Sequence, residues 1–233
     1  MQLTLVDKRV EAKDTISFFF KPADKISWLV GQYYYVTFPQ LYFPDSRGTT
    51  RQFTIASSPS EGANLRITTR IRDSSGFKKT LAQLPIGAII EAEGPHGTFT
   101  PTDNKSKNKQ LLLAGGIGIT PFRSILKYAV DNRIKKDYFL IYANSGSEFV
   151  FRDELDLWQA QNPNIKVNYF DTTKVGRLNA KLINTQLGLW EVKPQEATFW
   201  LSGPSGFVNA MEDALENLEV SLDEIMTDKF IGY

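Results

Sequence analysis

Two short segments hold residue types and spacings suited to chemistry. The first is LLLAGGIGITPF, residues 111–122, in which an apolar run ends in Gly115, Gly116, Ile117 and Gly118 before a helix is expected around Pro121. Glycines permit a tight turn there and let backbone amides approach a phosphate with no Cβ in the way. The helix start adds unpaired N–H groups and a partial positive charge, both suited to a dinucleotide pyrophosphate. Thr120 is placed to cap that helix and Pro121 to occupy its first turn. The G-x-G-x-x-G pattern is broken, because Pro121 stands at its third glycine. A ligand-free strand-to-helix turn is the competing reading. The second segment is Arg51-Gln52-Phe53-Thr54 followed by IASSP. On a pleated strand Arg51 and Phe53 share one face, Gln52 and Thr54 the other. Taken alone, Phe53 as core and Arg51 as a surface charge explain this segment equally well.

Other chemistries are excluded by composition. The chain has 233 residues and no cysteine, so a thiolate metal site, a cysteine nucleophile and a cysteine-ligated iron–sulfur cluster are impossible. One histidine, His96, leaves no multi-imidazole metal site. Redox chemistry in this chain therefore needs an organic cofactor. The 27 Lys and Arg against 26 Asp and Glu give a net charge of +1, which argues against a protein built to hold long nucleic acids. No signal peptide or membrane-length apolar run is read, so a soluble, cytoplasmic protein with no membrane insertion is expected.

The elements that position these segments change rhythm along the chain. Residues 1–100 hold short aromatic and β-branched runs at 16–20, 33–38, 53–56, 65–71 and 88–93, separated by turn residues, as in an antiparallel barrel. One helix is expected there, over 77–84, capped by Ser75. Residues 101–109, PTDNKSKNK, read as a linker. From 110 to 233 strands and helices alternate: strands at 111–114, 138–143, 165–170 and 198–202, helices at 122–132, 151–161, 179–185 and 205–218. That pattern predicts parallel βαβ units, so the fold class is an antiparallel β-barrel followed by a Rossmann-like α/β domain.

Together and in this order, the two segments resemble those of the ferredoxin–NADP reductase superfamily, and the resemblance covers essentially the whole chain. RQFT resembles that family's R-x-[YF]-[ST] flavin motif. The resemblance implies that Arg51 binds the flavin diphosphate, Phe53 lies along the ring system and Thr54 hydrogen-bonds near N5, with Gln52 between them. Thr69-Arg70-Ile71 resembles the next strand, whose backbone reads the ring edge or the adenosine side. GGIGITP, including Gly115, Gly116, Ile117, Gly118, Ile119 and Thr120, is similar to the nicotinamide-nucleotide loop. Ser202-Gly203-Pro204 resembles the C-G-P segment beside the nicotinamide, with serine in place of cysteine. Gly94-Pro95-His96-Gly97-Thr98-Phe99 resembles the G-P-x-G-x-F turn that closes the barrel. Where relatives carry Gly-x-x-[Ser/Thr] at the barrel helix, this chain has Ser75-Gly76-Phe77-Lys78, so Lys78 supplies charge in place of the hydroxyl. Some relatives end in an aromatic that covers the flavin, so the resemblance implies such a lid for Tyr233 or Phe230; the competing reading has Phe230 closing the last strand and Tyr233 reaching into solvent.

The resemblance implies a flavin-dependent NAD(P)H oxidoreductase that passes a hydride to FAD N5 and electrons onward. FAD is expected rather than FMN. The stretch Asn144–Glu148 lacks an immediate cation for a 2′-phosphate, which leans towards NADH. The expected partners are a nicotinamide nucleotide and an electron acceptor such as a ferredoxin, flavodoxin, haem protein or oxygenase. Two other readings stay open: a flavin reductase using free flavin as substrate, and a non-catalytic nucleotide-binding regulatory subunit.

Overall fold

The computed structural model describes residues 1–101 and 107–230. The first half is a six-stranded sheet, built from β1 (Gln2–Ala12), β2 (Thr15–Pro22), β3 (Tyr33–Thr37), β4 (Thr50–Thr54), β5 (Leu65–Arg70) and β6 (Ile89–His96). Its order is β4-β3-β6-β1-β2-β5, with every pairing antiparallel. The edge strands come together through an Ile55–Ile67 bridge, with Ala56 N–H donating to the Arg66 carbonyl at 2.7 Å, so the sheet curls into a barrel. Inside it Leu3, Phe18, Phe20, Tyr34, Val36, Phe53 and Ile67 form one core, closed by Phe77 and Leu81 of α1 (Gly76–Gln83).

The strand β1 is absent from the sequence reading, for a physical reason. Of its apolar positions Leu3 and Leu5 reach the barrel core, and two register shifts against β2, at Leu5/Asp7 and Val10/Ala12, bracket the charged stretch from Asp7 to Glu11. Period-2 patterning is lost where a ribbon leaves its core face.

The second half is a parallel sheet of order β11-β10-β7-β8-β9, built from β7 (Lys109–Gly115), β8 (Asp137–Asn144), β9 (Ile165–Asp171), β10 (Ala197–Pro204) and β11 (Ile225–Phe230). On β7, Leu112 and Ala114 face α2 (Ile119–Asp131) and α3 (Arg152–Gln161), whereas Leu111 and Leu113 face α5 (Ala180–Leu189) and α6 (Ser205–Glu216). Burial on both faces makes this strand a continuous apolar run. The short α4 (Thr172–Val175) is missing from the sequence reading, which has β11 only as a last strand closed by Phe230. The core under α2 also takes in Val30, Ala56 and Phe99, so the barrel and the α/β domain share apolar packing.

Two expectations are corrected. The helix after the glycines begins at Ile119, not 122, because a 3₁₀ turn over Gly116–Gly118 starts the coil earlier. Gly118 is then the cap residue, and Thr120 lies inside the helix with its hydroxyl donating to the Ile117 carbonyl at 3.1 Å. Thr120 is therefore not the cap. The expected linker also ends early, since Lys109 already belongs to β7; residues 102–106 lie outside the described residues.

Candidate functional site

The RQFT segment is β4. Pairing with β3 sets Arg51 opposite Val36 and Phe53 opposite Tyr34, which fixes Arg51, Phe53 and Thr54 along the wall of a cavity of about 460 Å³. Gln52 stands at its exposed rim. Phe53 serves two roles, since its ring also meets Phe77 in the barrel core at 5.8 Å. Ser75 and Lys78 line the cavity from α1, where the Ser75 hydroxyl oxygen accepts from Lys78 N–H as the expected cap. Gly76 is required, because a Cβ there would sit 2.1 Å from the Pro44 carbonyl oxygen. Phe77 turns its side chain into the core.

The next strand differs from expectation. Alternation on β5 turns Leu65, Ile67 and, just beyond it, Ile71 towards the barrel core. The residues that reach the cavity are Thr68 and Arg72, not Thr69 or Ile71. Among the described residues the buried Thr69 hydroxyl and the buried Arg70 Nε have no hydrogen-bond partner.

Asp45 was missed by sequence reasoning. Its carboxylate is 4% exposed and accepts from Arg51 Nη2 at 2.5 Å, Phe77 N–H at 2.9 Å, Arg47 N–H at 3.0 Å and the Ser75 hydroxyl at 3.1 Å. Arg51 Nη1 meanwhile donates to the carbonyls of Arg47, Gly48 and Thr50. Part of the donor set expected to face a diphosphate is thus already engaged. These hydrogen bonds and Arg51 hold the carboxyl at about 2 against the opposing effect of burial. The only signal in the sequence was one acid close to Arg47 and Arg51.

Positive charge nevertheless dominates this wall. Burial, then Arg72, Arg47, Arg51 and Arg70, push the Lys78 amine down to about 8. Among the described residues Asp45 is the carboxylate beside these cations, and a wall of this sign suits a diphosphate.

In the α/β domain the expected residues converge at the carboxyl edge of the sheet. The loop Gly115–Thr120 leaves β7 and packs against Ser202-Gly203-Pro204 at the end of β10. A Cβ on Gly118 would lie 2.1 Å from the Ser202 carbonyl oxygen, and one on Gly115 would meet the Phe207 ring at 2.6 Å. Gly116 takes φ +54, the left-handed region that opens the turn. Ile117 and Ile119 are buried anchors of the loop. Asn144 ends β8 and donates to the Glu148 carbonyl at 2.9 Å, and its Oδ1 would lie 3.9 Å from a Cβ placed on Gly116. Ser202 is fully buried, and its hydroxyl has no hydrogen-bond partner among the described residues. In register beside it on β11 lies Asp228, half-buried, whose carboxyl burial pushes up to about 6; sequence reasoning did not single it out.

The domains meet at the cavity. Thr120 of α2 and Lys229 and Phe230 of β11 complete the lining that β4 and α1 begin. Tyr233, the expected lid, lies outside the described residues. Among the described residues no three His, Asp or Glu side chains cluster to hold a metal ion, and no helix is long and apolar enough to cross a membrane.

A barrel with a cation-rich cavity, joined to a parallel sheet with a glycine cradle at its carboxyl edge, defines a two-domain flavin- and nicotinamide-nucleotide-dependent oxidoreductase. Residues 2–100 match the oxidoreductase FAD-binding domain and residues 112–213 the oxidoreductase NAD-binding domain, and the chain belongs to the ferredoxin–NADP reductase superfamily. Flavohemoprotein A of Dictyostelium discoideum is 25% identical over 97% of this chain and 59% of its own length. NADH-cytochrome b5 reductase 1 of Neosartorya fischeri is 26% identical over 85% of this chain and 67% of its own length. The chain thus spans about three fifths to two thirds of these relatives. Ferredoxin-NADP+ reductase from Plasmodium falciparum superposes with a TM-score of 0.79 at 19% identity, covering 98% of this chain and 95% of that one.

Proposed function

We propose that this chain is a reductase unit that takes a hydride from NADH into FAD and delivers electrons to an acceptor held elsewhere. The observation that carries this reading is the shared cavity, to which the RQFT strand and the α/β domain both contribute walls. Bound FAD supplies the hydride acceptor and can release electrons singly or in pairs. The chain contributes binding and orientation. Arg47, Arg72 and Lys78 offer charge to the diphosphate, with the remaining donors of Arg51. Phe53 offers an apolar face to the ring, and Thr54, 6% exposed, a hydroxyl beside it. The loop Gly115–Thr120 and the buried Ser202 hydroxyl hold the nicotinamide nucleotide, and Phe230 limits water at the junction.

NADH is favoured by Asp171 at the end of β9. Its carboxylate accepts from Gly146 N–H at 3.1 Å and from the Thr173 N–H and hydroxyl, which hold it ionised, the hydroxyl most strongly. A carboxylate at this edge suits a ribose hydroxyl and repels a 2′-phosphate. The acceptor is proposed to be a haem protein, as the names of the similar flavohemoprotein and cytochrome b5 reductase indicate for those proteins.

Free flavin as substrate is the second reading, favoured by Asp45, which already fills donors that a tightly held diphosphate would use. A visible spectrum before and after anaerobic addition of NADH tests the main reading. A yellow protein that bleaches supports it; a protein that takes up no FAD and stays silent with either pyridine donor refutes it. Colour lost on gel filtration selects the free-flavin reading.

A further inference from the structure

We infer that Arg123 is a positioning residue for hydride transfer, bolting the nicotinamide-nucleotide loop to the flavin strand across the domain junction. The inference rests on the reading given under Proposed function. Arg123 lies on α2, five residues past Gly118, and is 2% exposed. Every N–H of its guanidinium is used. Nε donates to Glu154 at 2.9 Å and Nη2 to Glu154 at 2.7 Å and Glu61 at 2.8 Å. Nη1 donates to Glu61 at 2.6 Å and to the Ala56 carbonyl at 2.9 Å. The next residue repeats the connection, since the Ser124 hydroxyl donates to the Ser57 carbonyl at 2.8 Å.

The acceptors matter by their place in the chain. Ala56 and Ser57 follow Thr54 by two and three residues, so the bonds land on the backbone that continues the flavin strand. Glu154 belongs to α3 and is shared with Arg66, 3% exposed on β5, two residues before Thr68 in the cavity wall. A planar guanidinium held bidentately by two carboxylates resists both rotation and translation. The network therefore fixes the α2 loop relative to β4 and β5.

Each cofactor site is built mainly within one domain, so its affinity depends little on the angle between domains. Hydride transfer depends on that angle strongly, because the reacting rings must approach to about 3–3.5 Å and a displacement near 1 Å costs roughly a hundredfold. Loosening Arg123 is thus expected to slow chemistry while leaving binding in place, a split that a merely structural role does not produce.

The test is anaerobic stopped-flow reduction of the FAD-loaded protein by NADH and by NADH deuterated at the transferred position. Arg123→Lys keeps the charge and loses the fork. The double variant Arg123→Gln/Glu154→Gln removes one charge of each sign. Ser124→Ala deletes one bond and leaves the ion pairs intact, so it reports even where the others fail to fold. Expected for Arg123→Lys are a limiting reduction rate at least tenfold lower, an altered isotope effect, and FAD and NADH dissociation constants within about twofold of the parent; Ser124→Ala shows a drop of about threefold. Limiting rates and isotope effects at parental values in every folded variant overturn the inference, as does a loss confined to affinity. A parent protein that binds FAD and is reduced, with indifferent variants, sinks this inference alone; a parent that binds no flavin sinks the functional reading and this one with it.

Discussion

Lys78 makes FAD affinity depend on pH, with a sign and size fixed by its surroundings. The amine is 8% exposed and faces Arg47, Arg51, Arg70 and Arg72, with Asp45 the carboxylate among them in the described residues. Burial and those cations bring it down to about 8 in the flavin-free protein. A bound diphosphate favours the charged amine and returns it to its ordinary range or above. Binding therefore takes up a proton above pH 8 and none well below it. The ratio of charged to neutral amine gives a dissociation constant about tenfold weaker at pH 9 than at pH 7. The flavin-free fold responds in the opposite sense. Its lowered base is costly when charged, so stability rises by about 1 kcal/mol over the same interval as the amine discharges. Quenching of flavin fluorescence on titrating apoprotein with FAD, from pH 6.5 to 9, reads the first effect. Lys78→Met is expected to bind roughly ten- to a hundredfold more weakly at pH 7, from the loss of one charge-assisted contact, and to show a flat profile. A flat profile in the parent protein, or an undiminished slope in Lys78→Met, refutes the reasoning.

Three further outcomes are expected. Thr54→Val removes the hydroxyl from the cavity wall while conserving shape, and is expected to slow flavin reduction about tenfold with FAD retained; an unchanged stopped-flow rate takes Thr54 out of the mechanism. Gly118→Ala forces a Cβ onto the Ser202 carbonyl, so the loop must shift, and calorimetry should show nucleotide binding lost while the flavin spectrum persists. The raised Asp228 carboxyl contributes stability that is complete below about pH 4 and is lost as pH climbs through 6. Asp228→Asn is therefore expected to melt about 4 °C higher at pH 7.5, corresponding to about 1–2 kcal/mol after allowance for partial exposure, and to match the parent below pH 4.

Local signals reached a large part of this molecule. A strand buried on both faces must be apolar throughout, so residues 111–114 announced the centre of the parallel sheet. Tight turns need glycine, so Gly116 and Gly118 marked the cradle. The Ser75 cap was readable because the side chain that caps and the helix it caps lie within four residues of each other. These features are set by neighbours in the chain, where residue type and spacing carry the physics.

Long-range partners were decided by the fold. Asp45 is joined to Phe77 across 32 positions and Arg123 to Ala56 across 67, and no periodicity relates such residues. Thr68 and Arg72 displaced Thr69 and Ile71 from the cavity because strand pairing chooses which face of an alternating segment looks inward. Asp228 acquired its raised carboxyl only by lying beside β10. Hydrogen bonding, desolvation and the summed field of five cations depend on distances through space, and those exist only once the chain has closed on itself.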